Sequence, residues 1–260
     1  ERTMDQIFAG ERNDYAGKRI LLGITNDDRV EVKKSENGNI IAYRVNRDLW
    51  SYDQKERQGT QVFSFRGRDP QNIQNNYNCH DIRILKTEDT GDVDFLVYGY
   101  MNRGLYEGKC GILLCRYDAL MNTVEERYFL PSDRPYQVVK EELGKLSVVN
   151  ENEMAWLSYR GMILEVRLTD CSVQLLAEDI DENRLQVSED GYLAAWTSTD
   201  KETISFLNVR DGRVFQIRGE EDELLLALGF MEEDFIYGTV YREDIRISQA
   251  GQQILPMHQV

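Results

Sequence analysis

The 260-residue sequence predicts an all-β protein: a β-propeller of about five antiparallel blades, or part of a larger propeller, with short connector helices. Three observations predict it. Short segments rich in β-branched and aromatic residues follow one another, separated by polar or Gly-containing turns. A pattern of turn, strand, turn, strand recurs with starts roughly 40 to 60 residues apart, the range of four-stranded blades. Finally, runs such as IIAYRV, FLVYGYM and ILLC are apolar without strict alternation, so their sheets are expected to be covered on both faces. A two-sheet sandwich would leave one face of each sheet in water and calls for cleaner alternation.

The elements follow in order. Residues 1–29 are expected to form an N-terminal segment with a short helix and a first strand, KRILLGIT. Residues 30–260 are expected to hold the blades as a single domain overall. The recurring units read as 36–65, 91–130, 150–179, 188–217 and 231–256. Each opens on an acidic or Gly turn. The turns YDQKERQG, LTDC, VRDGR and SQAGQ fall at a common later place. Asp211-Gly212 is a hairpin signal, because Gly tolerates positive φ. The polar stretch 66–81 is expected to be a loop. RPYQVVKEELGKL predicts a helix that starts after Pro135, ends at Gly144 and lies outside the sheets as a connector.

Composition limits the function classes. The formal net charge is −15, which repels nucleic-acid phosphates and anionic membrane surfaces. No run of 18 apolar residues occurs, so no direct membrane insertion is expected within this segment. The chain opens without Met or a signal segment and reads as a processed or excised piece.

Motifs for chemistry are sparse. The four cysteines, Cys79, Cys110, Cys115 and Cys171, lack the paired spacing of a zinc site and read as buried small hydrophobes. The two histidines are His80 and His258. His80 adjoins Cys79, but strand neighbours point to opposite faces, so a nucleophile–base pair is not expected. His80 reads instead as a loop residue and His258 as lying on the surface or in a fraying tail. Asp179, Asp181 and Asn183 alternate like the start of a calcium loop, yet Arg184 stands where such a loop needs Gly. Acidic runs at 141–142, 220–223 and 232–234 read as solvated turns. No Gly-rich phosphate motif lies between a strand and a helix. No cofactor, metal or catalytic residue is expected.

The segment VSEDGYLAAW, followed by ISFLNVRDGRVFQI, resembles blades of the propeller on the N-terminal side of dipeptidyl-peptidase and prolyl-oligopeptidase proteins. Those blades carry Ser-Pro-Asp-Gly before an apolar strand. Here Ser188-Glu189-Asp190-Gly191 has Glu in place of Pro, and Glu36-Asn37-Gly38 is a looser match. The resemblance implies a fold without the hydrolase half, so it carries over no catalytic residue. It also implies a place outside the cytoplasm or at the cell surface, within a longer chain.

The function expected is therefore non-catalytic: a binding or scaffolding module that presents loops on one face to a protein, peptide or glycan. The candidate contacts are Arg47, Asp48, Arg103, Tyr106, Tyr159, Arg160, Asp200, Lys201, Tyr241 and Arg242. Each sits at or near the turn after an early blade strand, which would collect them at one rim. Two alternatives stand beside this one. One is a hydrolase or lyase using acidic residues of a central channel; the other is a structural accessory domain of a longer surface protein.

Overall fold

The structure, a computed structural model, describes residues 31–45, 48–64, 79–231, 234–248 and 253–260. The expected N-terminal helix and first strand, and positions 66–78 of the expected polar loop, lie outside the described residues. The chain divides into two compact units, Glu1–Lys140 and Glu141–Val260.

In the first unit, β1 (Glu31–Lys34), β2 (Ile40–Val45), β3 (Asp48–Asp53) and β4 (Gln58–Phe63) form one antiparallel sheet in that order. A second sheet follows, of β5 (His80–Thr87), β6 (Val93–Tyr100), β7 (Cys110–Asp118) and β8 (Thr123–Pro131). The second unit repeats the plan. Its first sheet holds β9 (Leu143–Val149), β10 (Met154–Tyr159), β11 (Met162–Arg167) and β12 (Ser172–Ala177). Its second holds β13 (Leu185–Val187), β14 (Leu193–Thr197), β15 (Thr203–Asn208) and β16 (Arg213–Arg218). Then come two paired strands, β17 (Glu223–Met231) and β18 (Asp234–Tyr241), and a small hairpin of β19 (Arg246–Ile247) and β20 (Gln253–Ile254). Sequential four-stranded meanders of this kind are propeller-type blades.

The sheets begin one strand earlier than the units read from the sequence. Each turn that opens a unit joins the first strand to the second. The first strands differ among themselves: β1, with the charged sequence EVKK, is half exposed, β5 is mostly buried, and β13 has only three residues. The fourth strands are the most exposed, as in β12 and β16, whereas β6 is buried along nearly its whole length.

Packing in the second unit shows why the apolar runs do not alternate. Ala194, Trp196 and Leu207 join Leu146, Val148, Trp156 and Ile163 in one core. Ala195 and Ile204 join Leu225 in another. Consecutive strand residues point to opposite faces, so Ala194 and Ala195 place the β13–β16 sheet between two neighbours. In the first unit, Ala42, Leu49 and Val62 share a core with Ile82, Val97 and Leu113.

The one α-helix among the described residues, α1 (Tyr136–Glu142), connects β8 to β9. It ends before Gly144 and is not outside the packing. Val139 is fully buried, and Tyr136 is buried with its ring stacked on Tyr98 at 6.3 Å. Two further expectations change here. His80 is the first residue of β5 and fully buried, with Nδ1 3.1 Å from the Tyr100 carbonyl oxygen. Of the four thiols, Cys115 alone is fully buried; Cys79 and Cys110 are half-buried and Cys171 is exposed.

One buried ion pair fastens the two sheets of the first unit. Arg44 on β2 donates from Nη1 to Asp81 Oδ1 on β5 at 2.6 Å, and its Nε lies 3.6 Å from Glu31 Oε2. Glu31 accepts the Ile84 N–H at 3.0 Å. Burial raises the Glu31 pKa, against the pull of that N–H and of Arg44. Replacing Asp81 with Ala is expected to lower stability by about 3–5 kcal/mol, since it strands a buried guanidinium. The apolar pair Arg44→Met with Asp81→Leu is expected to lose less. Urea denaturation of the three proteins checks both statements.

Candidate functional site

The candidate contacts were chosen for their place in the repeat, and the structure puts them at one topological position. Asp48 follows the β2–β3 turn, Arg103 and Tyr106 lie in the β6–β7 loop, and Tyr159 and Arg160 are at the β10–β11 turn. Asp200 and Lys201 form the β14–β15 turn, while Tyr241 and Arg242 end β18 and open a 3₁₀ turn, Arg242–Asp244. Arg47 lies outside the described residues. In every sheet this is the junction after the second strand.

In the second unit these junctions touch one another. Arg160 and Gly161 both have positive φ, a two-residue hairpin whose twist matches its strands. The Gly161 carbonyl accepts the Ile180 N–H at 2.8 Å. The neighbouring Asp179 carbonyl accepts Thr199 Oγ1 at 3.5 Å, reaching the β14–β15 turn. The Lys201 carbonyl accepts the Leu225 N–H at 2.7 Å, and the Arg242 guanidinium pairs with Glu202. A continuous hydrogen-bonded rim therefore runs through residues 160–161, 179–180, 199–202 and 242. Beside it, a groove of about 580 Å³ is lined by Asp179, Ile180, Trp196, Thr199 and Asp200 among others.

The β14–β15 turn has the same construction as the motif that carries the family resemblance. Ser188 Oγ accepts the Leu193 N–H at 2.9 Å and donates to Asp190 Oδ1 at 2.5 Å. Ser198 Oγ accepts the Thr203 N–H at 3.0 Å and donates to Asp200 Oδ1 at 2.5 Å. Gly191 and Lys201 take the same place, with φ of 81° and 63°. Ser35 repeats the first bond, accepting the Ile40 N–H at 3.0 Å, and there the carboxylate is Asp89. The spacing Ser-x-Asp in STDK carries this signal in the sequence; the sequence reading drew it only from SEDG.

The side chains separate into two groups. Asp48 and Tyr159 are buried, and Lys201 is nearly so, with Nζ donating to Gln253 Oε1 at 3.1 Å. Burial lowers the Lys201 pKa. Asp200 works inside its turn, where the Ser198 hydroxyl, then the Glu202 N–H, hold its carboxyl below the ordinary aspartate value. Tyr106 stacks on Phe129 at 4.2 Å. Arg103, Arg160, Tyr241 and Arg242 keep outward surface.

Residues the sequence reading left aside support them. Glu142 Oε2 lies 3.9 Å from Arg160 Nε, and Glu202 pairs with Arg242. His258 is not in a loose tail. Its ring stacks on Tyr241 at 3.8 Å and 5°, with Nε2 3.1 Å from Glu223 Oε1 and 3.0 Å from Thr239 Oγ1. The Asp181 carboxylate accepts the Asn183 N–H at 3.0 Å and pairs with Arg184 at 3.4 Å, so the calcium-like spacing closes on itself. Among the described residues no group of three or more His, Cys, Asp or Glu side chains is placed to hold a metal ion, and no helix is long and apolar enough to cross a membrane.

No protein-family model and no curated protein sequence matches the chain. Among solved structures it is similar to the tricorn protease, with 15% identity and a TM-score of 0.46 over 88% of this chain and 20% of that one. It is also similar to Porphyromonas gingivalis dipeptidyl peptidase 4, with 10% identity and a TM-score of 0.48 over 86% of this chain and 38% of that one. A chain of the mitotic checkpoint complex shows 11% identity and a TM-score of 0.39, over 87% and 66%. The chain thus spans a fifth and under two fifths of the first two proteins' length.

Gly191→Ala is expected to cost about 1–2 kcal/mol: its side is open space, so the penalty is that of left-handed backbone alone. Lys201→Gly is expected to be neutral or stabilising, because relief of the same strain offsets the lost Gln253 bond. Thermal or urea denaturation reads both. Asp200 is expected to titrate below an ordinary aspartate. Its bonds then contribute fully above the unfolded-state pKa and are lost as pH falls through the lower folded-state value. Carboxyl-detected NMR on wild type and Ser198→Ala tests this, the variant moving the midpoint upward.

Proposed function

We propose that this chain is a non-catalytic binding module whose second-to-third-strand junctions receive a peptide, protein or glycan partner. One observation carries the reading. In the second unit the junctions are linked through the 179–180 connection, by the Ile180 N–H on Gly161 and Thr199 Oγ1 on Asp179, and by the Arg242–Glu202 ion pair, so Arg160, Tyr241 and Arg242 are presented from a fixed rim. Rigid aromatic and arginine side chains beside a groove give contact area with little loss of freedom on binding. The groove lined by Trp196 and the acidic groups Asp179 and Asp200 adds a mixed apolar and charged floor.

The two histidines support a non-catalytic reading by their engagements. His80 is enclosed in its strand, and His258 is spent on Tyr241, Thr239 and Glu223. The Thr239 hydroxyl and the Glu223 carboxylate both meet the same His258 nitrogen, Nε2, whereas a nucleophile–base–orienter set uses the two ring nitrogens separately. On the resemblance of Ser188–Gly191 and the strands after it, we place the module outside the cytoplasm as part of a longer protein.

Selection from a displayed peptide library and a glycan array supplies ligands, and calorimetry supplies affinities. Reversing charge at Arg160 and Arg242 together is expected to weaken the selected ligands by about tenfold or more, equal to about 1.4 kcal/mol. Ligands whose affinity ignores these substitutions, or that the wild-type protein cleaves on incubation, would overturn the reading.

A further inference from the structure

The first unit contains a cavity of about 330 Å³ beneath the β6–β7 loop. Its lining combines apolar side chains of both sheets, Val62 and Phe63 from β4, Val97 from β6, Leu113 from β7 and Val124 from β8, with Asn102, Arg103 and Glu126. Its size falls at the small end of ligand sites, which start near ~300 Å³. At the floor, Cys115 is fully buried, and burial raises its thiol pKa far above the ordinary value, so it stays neutral.

The charged groups at the mouth differ in how they are engaged. Glu126 is committed to the loop: Oε2 accepts the Leu105 N–H at 3.1 Å, and its carboxylate sits directly over Gly104. The loop itself is fixed, with the Met101 N–H on the Lys109 carbonyl at 2.8 Å and the Gly108 N–H on the Met101 carbonyl at 2.9 Å. Arg103 is different. Its guanidinium lies 4.2 Å over the Phe63 ring, and among the described residues no carboxylate or other acceptor bonds to it. Burial lowers its pKa, and neighbouring acidic groups, Asp48 and Glu126 among them, offset this only in part. A guanidinium held over a ring beside an apolar cavity is suited to a planar anion, which its fork can hold by two hydrogen bonds while the Glu126 carboxylate stays engaged with the loop.

We propose that this cavity binds a small carboxylic acid with an apolar body, short-chain aliphatic or monocyclic aromatic. The carboxylate rests on Arg103 and the body on Phe63, Val97, Leu113 and Val124. All residues of this site belong to the first unit, and the proposal does not rest on partner binding at the second unit's junctions.

The test uses octanoate and phenylacetate as probes, octan-1-ol and 2-phenylethanol as uncharged counterparts, and the full chain carrying ¹³C-labelled Met, Val and Leu methyl groups. Saturable shifts are expected at Val97, Met101, Leu113 and Val124 for at least one acid. Arg103→Gln is expected to raise its Kd by about tenfold, and Arg103→Lys by less, because the ammonium keeps the charge without the fork. The unliganded methyl spectra of both variants report whether they are folded. Three results would each overturn the proposal: no saturable shift at these methyls for either acid, an unchanged Kd in folded Arg103→Gln, or an alcohol binding as tightly as its acid.

Discussion

A four-stranded antiparallel sheet with apolar side chains on both faces has to be covered twice. That requirement governs the second unit. Ala194 and Trp196 look to one neighbour and Ala195 to the other, over a single strand step. Small residues at 194 and 195 let the adjacent sheets approach, and Trp156 and Trp196 fill the larger space on one side. Everything placed at the sheet ends inherits its position from this stacking, because the junctions are short and leave the strands little room to slide.

The same economy shapes the rim. Turns that need a left-handed residue supply it as Gly191, Arg160-Gly161 or Lys201, and a serine–aspartate pair satisfies the backbone at two of them. Two of the six candidate side chains in the second unit are thereby taken up at the turn. Lys201 and Asp200 illustrate this: both have charges suited to contact, yet one is bonded to Gln253 and the other caps its own turn. Arg160, Tyr241 and Arg242 are held by neighbours at their flanks and remain partly outward.

The first unit solves the same problem with charge. Arg44 crosses from β2 to Asp81 on β5, and Asp89 of the β5–β6 turn bonds to Ser35 and Asn37 of the β1–β2 turn. At the β6–β7 loop, Glu126 takes that anchoring role and Arg103 rests on Phe63 of the facing sheet, over the cavity.

The order of short strands and turns, the two-sided apolar runs and the helix after Pro135 were legible in the sequence, because β periodicity, turn residues and caps are local properties of the chain. The position of the candidate contacts in the repeat was legible for the same reason. Their roles were not. Nothing local separates Tyr159, which is buried, from Tyr241, which stacks on a histidine 17 residues later and keeps an open edge. Likewise His80 reads as a loop residue beside a polar stretch, yet pairing with Gly99 draws it into a strand and a full shell of neighbours. Only tertiary structure decided which charges meet, as in Arg44 with Asp81 and Arg242 with Glu202, since such pairs join residues about forty positions apart. Burial and long-range pairing depend on what lies across the sheet interface, and that is set by the stacking of whole sheets.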